Sequence, residues 1–258
     1  MKMNNEQELY NRSFEQHSNI AIPLENYIVV RLDGRGFSKF TKNYFKKPFD
    51  TTFRDLMVNT TEYLYNNSGF DITYAYTQSD EISLLLKRDD NTFNRRPKKI
   101  MSILASMASV YFSLECNKQL KTETIAIFDA TLDIRPNVES VLKYFVWRQD
   151  DSIRNCLNGY AYWTLINKDC YTARTASRTI ENQSSYFKKE LLLDRGINFD
   201  DVPNWQKRGI GFYSTEVPHK GYNPITNKEV ITTRKVVEKN YDLPTKQEYS
   251  DYIKTFII

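Results

Sequence analysis

One stretch of the sequence, residues 74–86, constrains the fold more than any other. Apolar and aromatic residues alternate from Tyr74 toward a polar tip, Gln78-Ser79-Asp80-Glu81, and a second apolar run follows at once. This alternation around a short polar tip predicts a tight β-hairpin. Such a hairpin holds two adjacent carboxylates, those of Asp80 and Glu81, on rigid arms, where they can bind a hard divalent cation.

A second acidic position follows an earlier apolar run. Residues 27–37 are typical of a buried strand that ends in Asp33 and the glycine-rich turn Gly34-Arg35-Gly36. Each feature has an ordinary alternative, because Asp-Gly closes many loops and a Ser-Asp-Glu tip can simply face solvent. Polymerase-type palm domains place one acid after the first strand and another on the central hairpin, so that both meet at one sheet edge. The pair therefore favours metal-assisted chemistry on a nucleotide phosphate.

The remaining periodicity completes this pattern. One helix is predicted with Asp50 or Thr51 as its N-cap, and a second is predicted to begin at Pro97. A further strand is predicted over Glu123–Asp129. The order strand–helix–strand–strand–helix–strand predicts an α+β fold of the ferredoxin-like palm type, with an antiparallel sheet and helices on one face.

We interpret the whole chain, residues 1–258, as a single catalytic domain. Its palm core spans about 25–135, and a helical and β-hairpin elaboration spans about 136–258. The elements predicted outside the palm are a loose helix, a long helix and the two strands of a hairpin: residues 6–20, Val138–Asn158, Ile210–Val217 and Val230–Val237.

Composition argues against several kinds of site. Cys116, Cys156 and Cys170 are widely separated, and the sequence has no Cys-x-x-Cys pair and two histidines. A structural zinc site and a disulfide framework are therefore not predicted. We see no run of about 18 apolar residues that suggests a membrane span, and residues 1–8 lack a signal-peptide core. We expect no membrane partner and a cytoplasmic location, with a mitochondrial one left open.

Positive charge is concentrated in one stretch. Residues 87–99 hold six basic and two acidic side chains, a net charge of +4, whereas the whole chain also carries only +4. A solvated face is the ordinary interpretation of such a run. Because the stretch follows the hairpin, it can alternatively bring cations back over the metal edge, where triphosphates or an RNA 5′ end would lie.

Four motifs occur in order along the chain: Val30-Arg-Leu-Asp-Gly-Arg-Gly-Phe-Ser-Lys-Phe40, Gln78–Glu81, Phe93–Lys99 and Trp147-Arg-Gln-Asp-Asp151. The chain resembles the tRNA(His) guanylyltransferase superfamily, enzymes that add nucleotides to RNA 5′ ends in the 3′-to-5′ direction. The similarity runs from about Tyr27 to about Asn158, with a weaker echo in Trp205–Tyr213. The resemblance implies a polymerase-type palm and a homotetramer.

The residues and the resemblance together define a candidate site. Asp33 and Asp80 are the predicted ligands of two Mg²⁺ ions, with the Gly34 carbonyl as a further ligand and Glu81 adjacent to them. Backbone N–H groups of the glycine turn are predicted to face a triphosphate; the turn comprises Gly34, Arg35, Gly36, Phe37 and Ser38. The resemblance implies ATP and GTP or another nucleoside triphosphate as substrates. Their implied contacts are Lys47 and Ser79 at the first triphosphate and Arg31, Arg96 and Lys99 at a second.

A cluster of polar residues is predicted on one helix: Arg148, Gln149, Asp151, Arg154 and Asn155. Spacings of three and four residues allow such side chains to share a helix face. Two interpretations stand side by side, a buried structural network and recognition of the RNA end. The neighbouring Trp147 is expected in the core.

One position departs from the family pattern. Where tRNA(His) guanylyltransferases carry His-Ile-Asn-Asn after the Trp-Arg-Gln-x-Asp motif, this chain has Ile153 in place of the histidine. It is more similar to the guanylyltransferase-like branch, whose members repair truncated tRNA 5′ ends by templated addition. We therefore expect template-dependent 3′-to-5′ addition to tRNA after ATP- or GTP-dependent 5′ activation. The alternatives are addition of one guanosine to tRNA(His), a palm-type nucleotidyl cyclase and a non-catalytic tRNA-binding protein.

Overall fold

The computed structural model describes residues 20–223 and 228–257. Most of the helix predicted over residues 6–20, and the tip of the C-terminal hairpin, lie outside the described residues. The strands are β1 (Tyr27–Gly34), β2 (Ile72–Gln78), β3 (Glu81–Leu86), β4 (Phe128–Arg135), β5 (Ile210–Asn223) and β6 (Lys228–Asn240). The helices are α1 (Phe37–Tyr44), α2 (Thr51–Asn67), α3 (Pro97–Leu120), α4 (Val138–Asn167), α5 (Ala173–Ile180), α6 (Ser185–Leu193), α7 (Asn204–Arg208) and α8 (Lys246–Ile257). Short 3₁₀ turns lie at Thr92–Arg95 and Phe199–Asp201.

The strands form one antiparallel sheet in the order β4-β1-β3-β2-β5-β6. The first four strands have the ferredoxin-like order, and the C-terminal hairpin of β5 and β6 extends the sheet beyond β2. The predicted α+β palm with a C-terminal helical and β-hairpin elaboration is confirmed.

Both faces of this sheet are covered, as alternation along β1 requires. Val30 and Leu32 are buried against α2 and α3 in one hydrophobic cluster, whereas Tyr27 and Val29 are buried with residues of α4 and α8 in another. A strand places successive side chains on opposite faces, so the continuous apolar run at residues 27–30 of β1 needs cover on both. The palm helices α2 and α3 cover one face, and the C-terminal elaboration covers the other. Asp33 lies on the second face, because it is four residues from Val29 and side chains alternate along a strand.

Local signals fix the helix starts. The Asp50 side chain accepts hydrogen bonds from the N–H groups of Thr52 and Phe53 and is the N-cap of α2. Pro97 is the first residue of α3, as predicted. By length and composition alone α3 could span a membrane, but a core helix meets the same criterion. Its residues Ile100, Leu104, Ala108, Phe112 and Cys116 are buried against the sheet.

The strand predicted over Glu123–Asp129 is wrong in its bounds, because β4 begins only at Phe128. The preceding segment is held by side chains of α3 instead of by a neighbouring strand. Ser113 Oγ accepts from the N–H of Ala126 at 2.9 Å, and Asn117 Oδ1 accepts from that of Thr124 at 2.8 Å. Apolar alternation alone does not distinguish this arrangement from a strand.

Candidate active site

The candidate site is a cavity of about 490 Å³ at the edge of the sheet where β1 ends and the β2–β3 hairpin turns. Helices α1, α2 and α4 and the segment between α1 and α2 complete its walls. Of the residues proposed from sequence, ten line it: Asp33, Phe37, Ser38, Lys47, Ser79, Asp80, Glu81, Arg148, Asp151 and Asn155. The fold thus brings together predicted site residues from the glycine turn, the hairpin tip and helix α4.

A backbone bond joins the two acidic positions. The N–H of Gly34 donates to the carbonyl of Asp80 at 3.1 Å, which ties the hairpin turn to the end of β1. Ser79 adopts a left-handed conformation with φ 54° in this two-residue turn, and its hydroxyl donates to Asp80 Oδ1 at 3.0 Å. The carboxylates of Asp33 and Asp80 therefore belong to one edge, as the sequence predicts.

The electrostatics of these carboxylates suit a cation. Burial raises the pKa of Asp33, and the negative charges of Asp80 and Asp129 raise it further. Burial also raises the pKa of Asp80. In residues 20–223 and 228–257 no three His, Cys, Asp or Glu side chains gather closely enough to hold a metal by themselves. Two carboxylates nevertheless fit Mg²⁺, which commonly binds one or two protein carboxylates and completes its shell with water and phosphate oxygens.

Two of the backbone N–H groups in the glycine turn, residues 34–38, already have acceptors within the protein. The N–H of Gly34 is bonded to Asp80, and that of Arg35 donates to the carbonyl of Ile127 at 2.8 Å. The prediction that the whole turn presents its amides is therefore wrong for these two residues. Helix α1 begins directly afterwards, and the first N–H groups of a helix have no acceptor within it. Gly36, Phe37 and Ser38 thus provide the phosphate-binding candidates.

Packing explains why this turn needs glycine. A Cβ at position 34 would lie 2.4 Å from the Phe37 ring, which is buried among Phe40, Phe53 and Phe112. Gly36 has φ +73° and caps α1 in the left-handed region. The Phe37 side chain is therefore part of the core, and its backbone alone can contact a ligand.

Lys47 enters the cavity from the segment between α1 and α2. Its Nζ donates to Thr41 Oγ1 at 2.5 Å. Burial lowers the pKa of Lys47, and the negative charge of Asp80 opposes that change. A half-buried ammonium close to the acidic edge is suited to a phosphate that lies between the two.

Helix α4 is bonded to the β2–β3 hairpin through three residues spaced four apart, of which Arg148 and Ser152 line the cavity. The hydroxyl of Tyr144 bonds to that of Ser83 at 2.9 Å, and Ser152 Oγ bonds to the Tyr76 hydroxyl at 2.6 Å. Between them, Arg148 donates from Nε and Nη2 to the two carboxylate oxygens of Glu81 at 2.8 and 2.5 Å. Glu81, proposed as a catalytic residue, is thus the partner of an arginine.

The other polar residues of α4 divide into inner and outer groups. Gln149 is buried and donates to the carbonyl of Pro244 at 2.9 Å, which favours the structural interpretation for this residue. Asp151 accepts from Arg148 at 3.1 Å, from Arg154 at 2.7 Å and from Asn155 at 3.3 Å. Arg154 and Asn155 are exposed and stay candidates for RNA contact. Trp147 is exposed beneath the Arg148 guanidinium, so the expectation of a core tryptophan is wrong.

The prediction that the basic residues 87–99 return over the sheet edge that carries Asp33 and Asp80 is wrong for a single chain. The Arg95 guanidinium is buried and donates to carbonyls of Ile22 and Asn26 at 3.0 and 2.6 Å, just before β1 begins. Arg96 and Lys99 follow at the start of α3, so they lie at the opposite end of β1 from Asp33. At about 3.3 Å per strand residue the separation is roughly 20 Å. Of the three cations proposed for a second triphosphate, only Arg31, two residues before Asp33 on the same face, lowers the pKa of that carboxyl, as Arg148 of α4 also does.

Sequence reasoning missed Asp129. In the register of β1 with β4, Asp129 is directly opposite Asp33, while Glu81 of β3 is opposite Asp33 on its other side. Residues paired in this way share a face of the sheet. The signal was present in the alternation Asp129–Thr131–Asp133, but the misplaced strand concealed it.

Comparison with known proteins agrees with this geometry. The family model described as tRNAHis guanylyltransferase matches residues 8–136, and that described as Thg1 C terminal domain matches residues 139–254. A protein of Debaryomyces hansenii named tRNA(His) guanylyltransferase is 36% identical over 207 residues, which cover 78% of this chain and 77% of the relative. A Dictyostelium discoideum protein named probable tRNA(His) guanylyltransferase is 31% identical over 252 residues, 94% of each chain. The chain belongs to the tRNA(His) guanylyltransferase superfamily.

Solved structures are similar over most of the fold. The crystal structure of tRNA(His) guanylyltransferase from Saccharomyces cerevisiae has a TM-score of 0.71 and 31% identity, covering 78% of this chain and 90% of that one. A bacterial tRNA(His) guanylyltransferase-like protein in complex with ATP has a TM-score of 0.74 and 25% identity, covering 98% of both chains. A GTP complex of a bacterial protein of this description has a TM-score of 0.67.

Proposed function

We propose that the protein adds nucleotides to the 5′ end of tRNA in the 3′-to-5′ direction, choosing each nucleotide by pairing with the opposite strand. The observation that carries the proposal is the joining of Asp33 and Asp80 at one cavity edge by the Gly34–Asp80 backbone bond. Family membership supports the reaction class, and the ATP and GTP complexes of related proteins support triphosphate substrates. Repair of truncated tRNA 5′ ends is the role that fits this activity.

In the proposed reaction, ATP or GTP first activates the tRNA 5′-monophosphate with release of pyrophosphate. The 3′-hydroxyl of the incoming nucleotide then attacks the activated 5′ phosphate and displaces the activating AMP or GMP. Asp33 and Asp80 would hold the Mg²⁺ ions, which would lower the pKa of the attacking hydroxyl and neutralise the leaving group. Lys47 and the first amides of α1, those of Phe37 and Ser38, bind and orient the triphosphate.

A second candidate is addition of a single guanosine to full-length tRNA(His). It is favoured by the names of the relatives, which are tRNA(His) guanylyltransferases in fungi and probable tRNA(His) guanylyltransferases in Dictyostelium discoideum and Drosophila melanogaster. Ile153 favours repair instead, because isoleucine has no hydrogen-bond donor for a base or a phosphate. A nucleotidyl cyclase would need the same carboxylates but no RNA partner.

The deciding experiment offers the protein a panel of 5′-truncated and full-length tRNAs with all four nucleoside triphosphates and Mg²⁺. Sequencing of product 5′ ends should reveal added bases complementary to the opposing nucleotide. Addition of guanosine to full-length tRNA(His) alone would support the second candidate and overturn templated repair. A parallel incubation with labelled ATP or GTP alone should yield no cyclic product, and tRNA binding without any product would point to a non-catalytic protein.

We also propose that the chain assembles as a homotetramer, as the family resemblance implies. An apolar groove between α3 and the segment before β4 supports this assembly. Its exposed side chains include Val110, Leu114 and Ile125, which are 59%, 64% and 83% exposed, and large exposed apolar patches commonly mark protein interfaces. In such an assembly Arg96 and Lys99 would serve a triphosphate in the site of another copy, since their own chain's site lies at the other end of β1.

A further inference from the structure

The hairpin that carries Asp80 is attached to α4 by more than packing. Arg148 and Glu81 are 11% and 13% exposed at their side chains and form a two-pronged ion pair. The flanking bonds Tyr144–Ser83 and Tyr76–Ser152 join the same helix to the same hairpin. Three contacts one helical turn apart, at positions 144, 148 and 152, thus tie β2 and β3 to α4.

The ion pair is the contact closest to the metal edge. Glu81 follows Asp80 directly, and it is paired across the strands with Asp33. Arg148 binds both carboxylate oxygens of Glu81, and Ser83 Oγ also donates to Oε1 at 3.4 Å. An arginine fork holds a carboxylate in one orientation, which a lysine cannot do. A carboxylate bound in this way has little capacity left for a cation.

We propose that Glu81 is a positioning residue rather than a metal ligand, and that the Arg148–Glu81 ion pair fixes the hairpin tip so that Asp80 faces Asp33. Asp151 belongs to the same arrangement, since it accepts from Arg148 Nη2, the nitrogen that also donates to Glu81 Oε2. This inference rests on the proposed function, because it presumes that Asp33 and Asp80 bind the metal. It assigns distinct roles to the two adjacent acids of the hairpin.

A double-mutant cycle with a direct metal measurement tests the inference. The variants are Glu81→Gln, Arg148→Gln and the combination of both, with Mn²⁺ binding followed by electron paramagnetic resonance and kcat measured on a truncated tRNA. We expect each single change to lower kcat by about 10- to 100-fold. The double variant should lose no more than about threefold beyond the worse single variant, because residues that act as one unit are not additive.

Metal affinity separates the two possible roles of Glu81. Glu81→Gln should keep the Mn²⁺ dissociation constant within about threefold of the unaltered protein, whereas Asp80→Asn should weaken it by at least about tenfold. If Glu81→Gln weakens Mn²⁺ binding as much as Asp80→Asn, whatever stands at position 148, Glu81 is a ligand and the inference is overturned. If Asp80→Asn itself binds Mn²⁺ normally, the proposed metal site fails, which is a distinguishable outcome.

Matched variants guard against a general loss of structure. Lys143→Gln removes another ion pair of α4, the exposed Glu139–Lys143 contact of 2.6 Å, and should leave kcat unchanged. The double variant contains no buried unpaired charge, so its thermal midpoint should lie above that of Arg148→Gln. Arg148→Lys restores the charge without the fork and should recover only part of kcat. Full recovery by lysine would show that charge alone, and not orientation, matters.

Discussion

Gly34 donates its backbone N–H to the carbonyl of Asp80 at 3.1 Å, and this one bond sets the geometry of the site. It is formed between the last residue of β1 and the turn of the β2–β3 hairpin, which the antiparallel register brings side by side. Because position 34 has no side chain, the Phe37 ring packs against it and α1 begins close to the same edge. Acidic groups and a helix N-terminus therefore meet at one point.

Neutralising either acid should abolish nucleotide addition. Asp33→Asn and Asp80→Asn remove a charged ligand but keep the shape of the side chain, and we expect kcat to fall by about 1,000-fold or more. The measurement is 5′ extension of a truncated tRNA at saturating Mg²⁺. Thermal unfolding should reveal intact folds in both variants. Normal turnover in either would remove the assignment of the metal site.

The same acids predict a particular pH dependence of stability without metal. Burial raises the pKa of Asp33 and of Asp80 above the ordinary value of 3.8. Between that value and the raised one the folded protein holds more protons than the unfolded chain, so the free energy of unfolding contributed by these groups falls as pH rises. Above the raised pKa values this contribution is lost.

Asp80→Asn should therefore increase the free energy of unfolding in EDTA at about pH 7 relative to the unaltered protein, and the gain should disappear at about pH 3. Urea denaturation across this range measures the difference. Added Mg²⁺ should stabilise the unaltered protein and not the variant. A variant that is less stable at neutral pH would mean that Asp80 stabilises the fold through contacts of its own.

Lys47 offers a test of phosphate binding. Lys47→Met keeps the aliphatic stem but removes the ammonium. A hydrogen bond from a charged group to phosphate contributes about 1.5–3 kcal/mol, so kcat/KM for the triphosphate should fall by about 10- to 150-fold. Lys42→Met, at an exposed position of α1, is the matched control. Equal losses in the two variants would indicate a general effect of positive charge.

Arg96 and Lys99 should act between copies of the chain. Arg96→Ala and Lys99→Ala are expected to raise the KM for the triphosphate more than they weaken tRNA binding, because they contact one concentrated phosphate cluster. Co-expression of Arg96→Ala chains with Asp80→Ala chains should restore activity, since mixed assemblies then contain sites with intact residues from both copies. If the mixture stays as inactive as its components, or if tRNA binding and activity fall in proportion, the residues have another role.

Sequence pattern predicted the hairpin, β1, the capping by Asp50 and the helix start at Pro97, because each depends on neighbours in the chain. It failed where a distant partner decides. Ser113 and Asn117 hold the segment before β4, and carbonyls of Ile22 and Asn26 hold Arg95. The fork of Arg148 on Glu81 likewise joins residues whose proximity only the packing of α4 on the sheet defines.

Specificity for tRNA is the property most sensitive to one residue, Ile153. It lies on α4 beside Ser152, whose hydroxyl bonds to Tyr76 at the cavity wall, and it has no donor or acceptor in its side chain. We expect kcat/KM values for several 5′-truncated tRNAs to agree within about tenfold, since base-specific hydrogen bonds supply most discrimination, about 1–3 kcal/mol each. Ile153→His should shift the ratio of these values toward tRNA(His), while the apolar β-branched control Ile153→Val should leave it unchanged. A strict preference of the unaltered protein for full-length tRNA(His), with guanosine added opposite a non-complementary base, would show that selection does not depend on a polar group at this position.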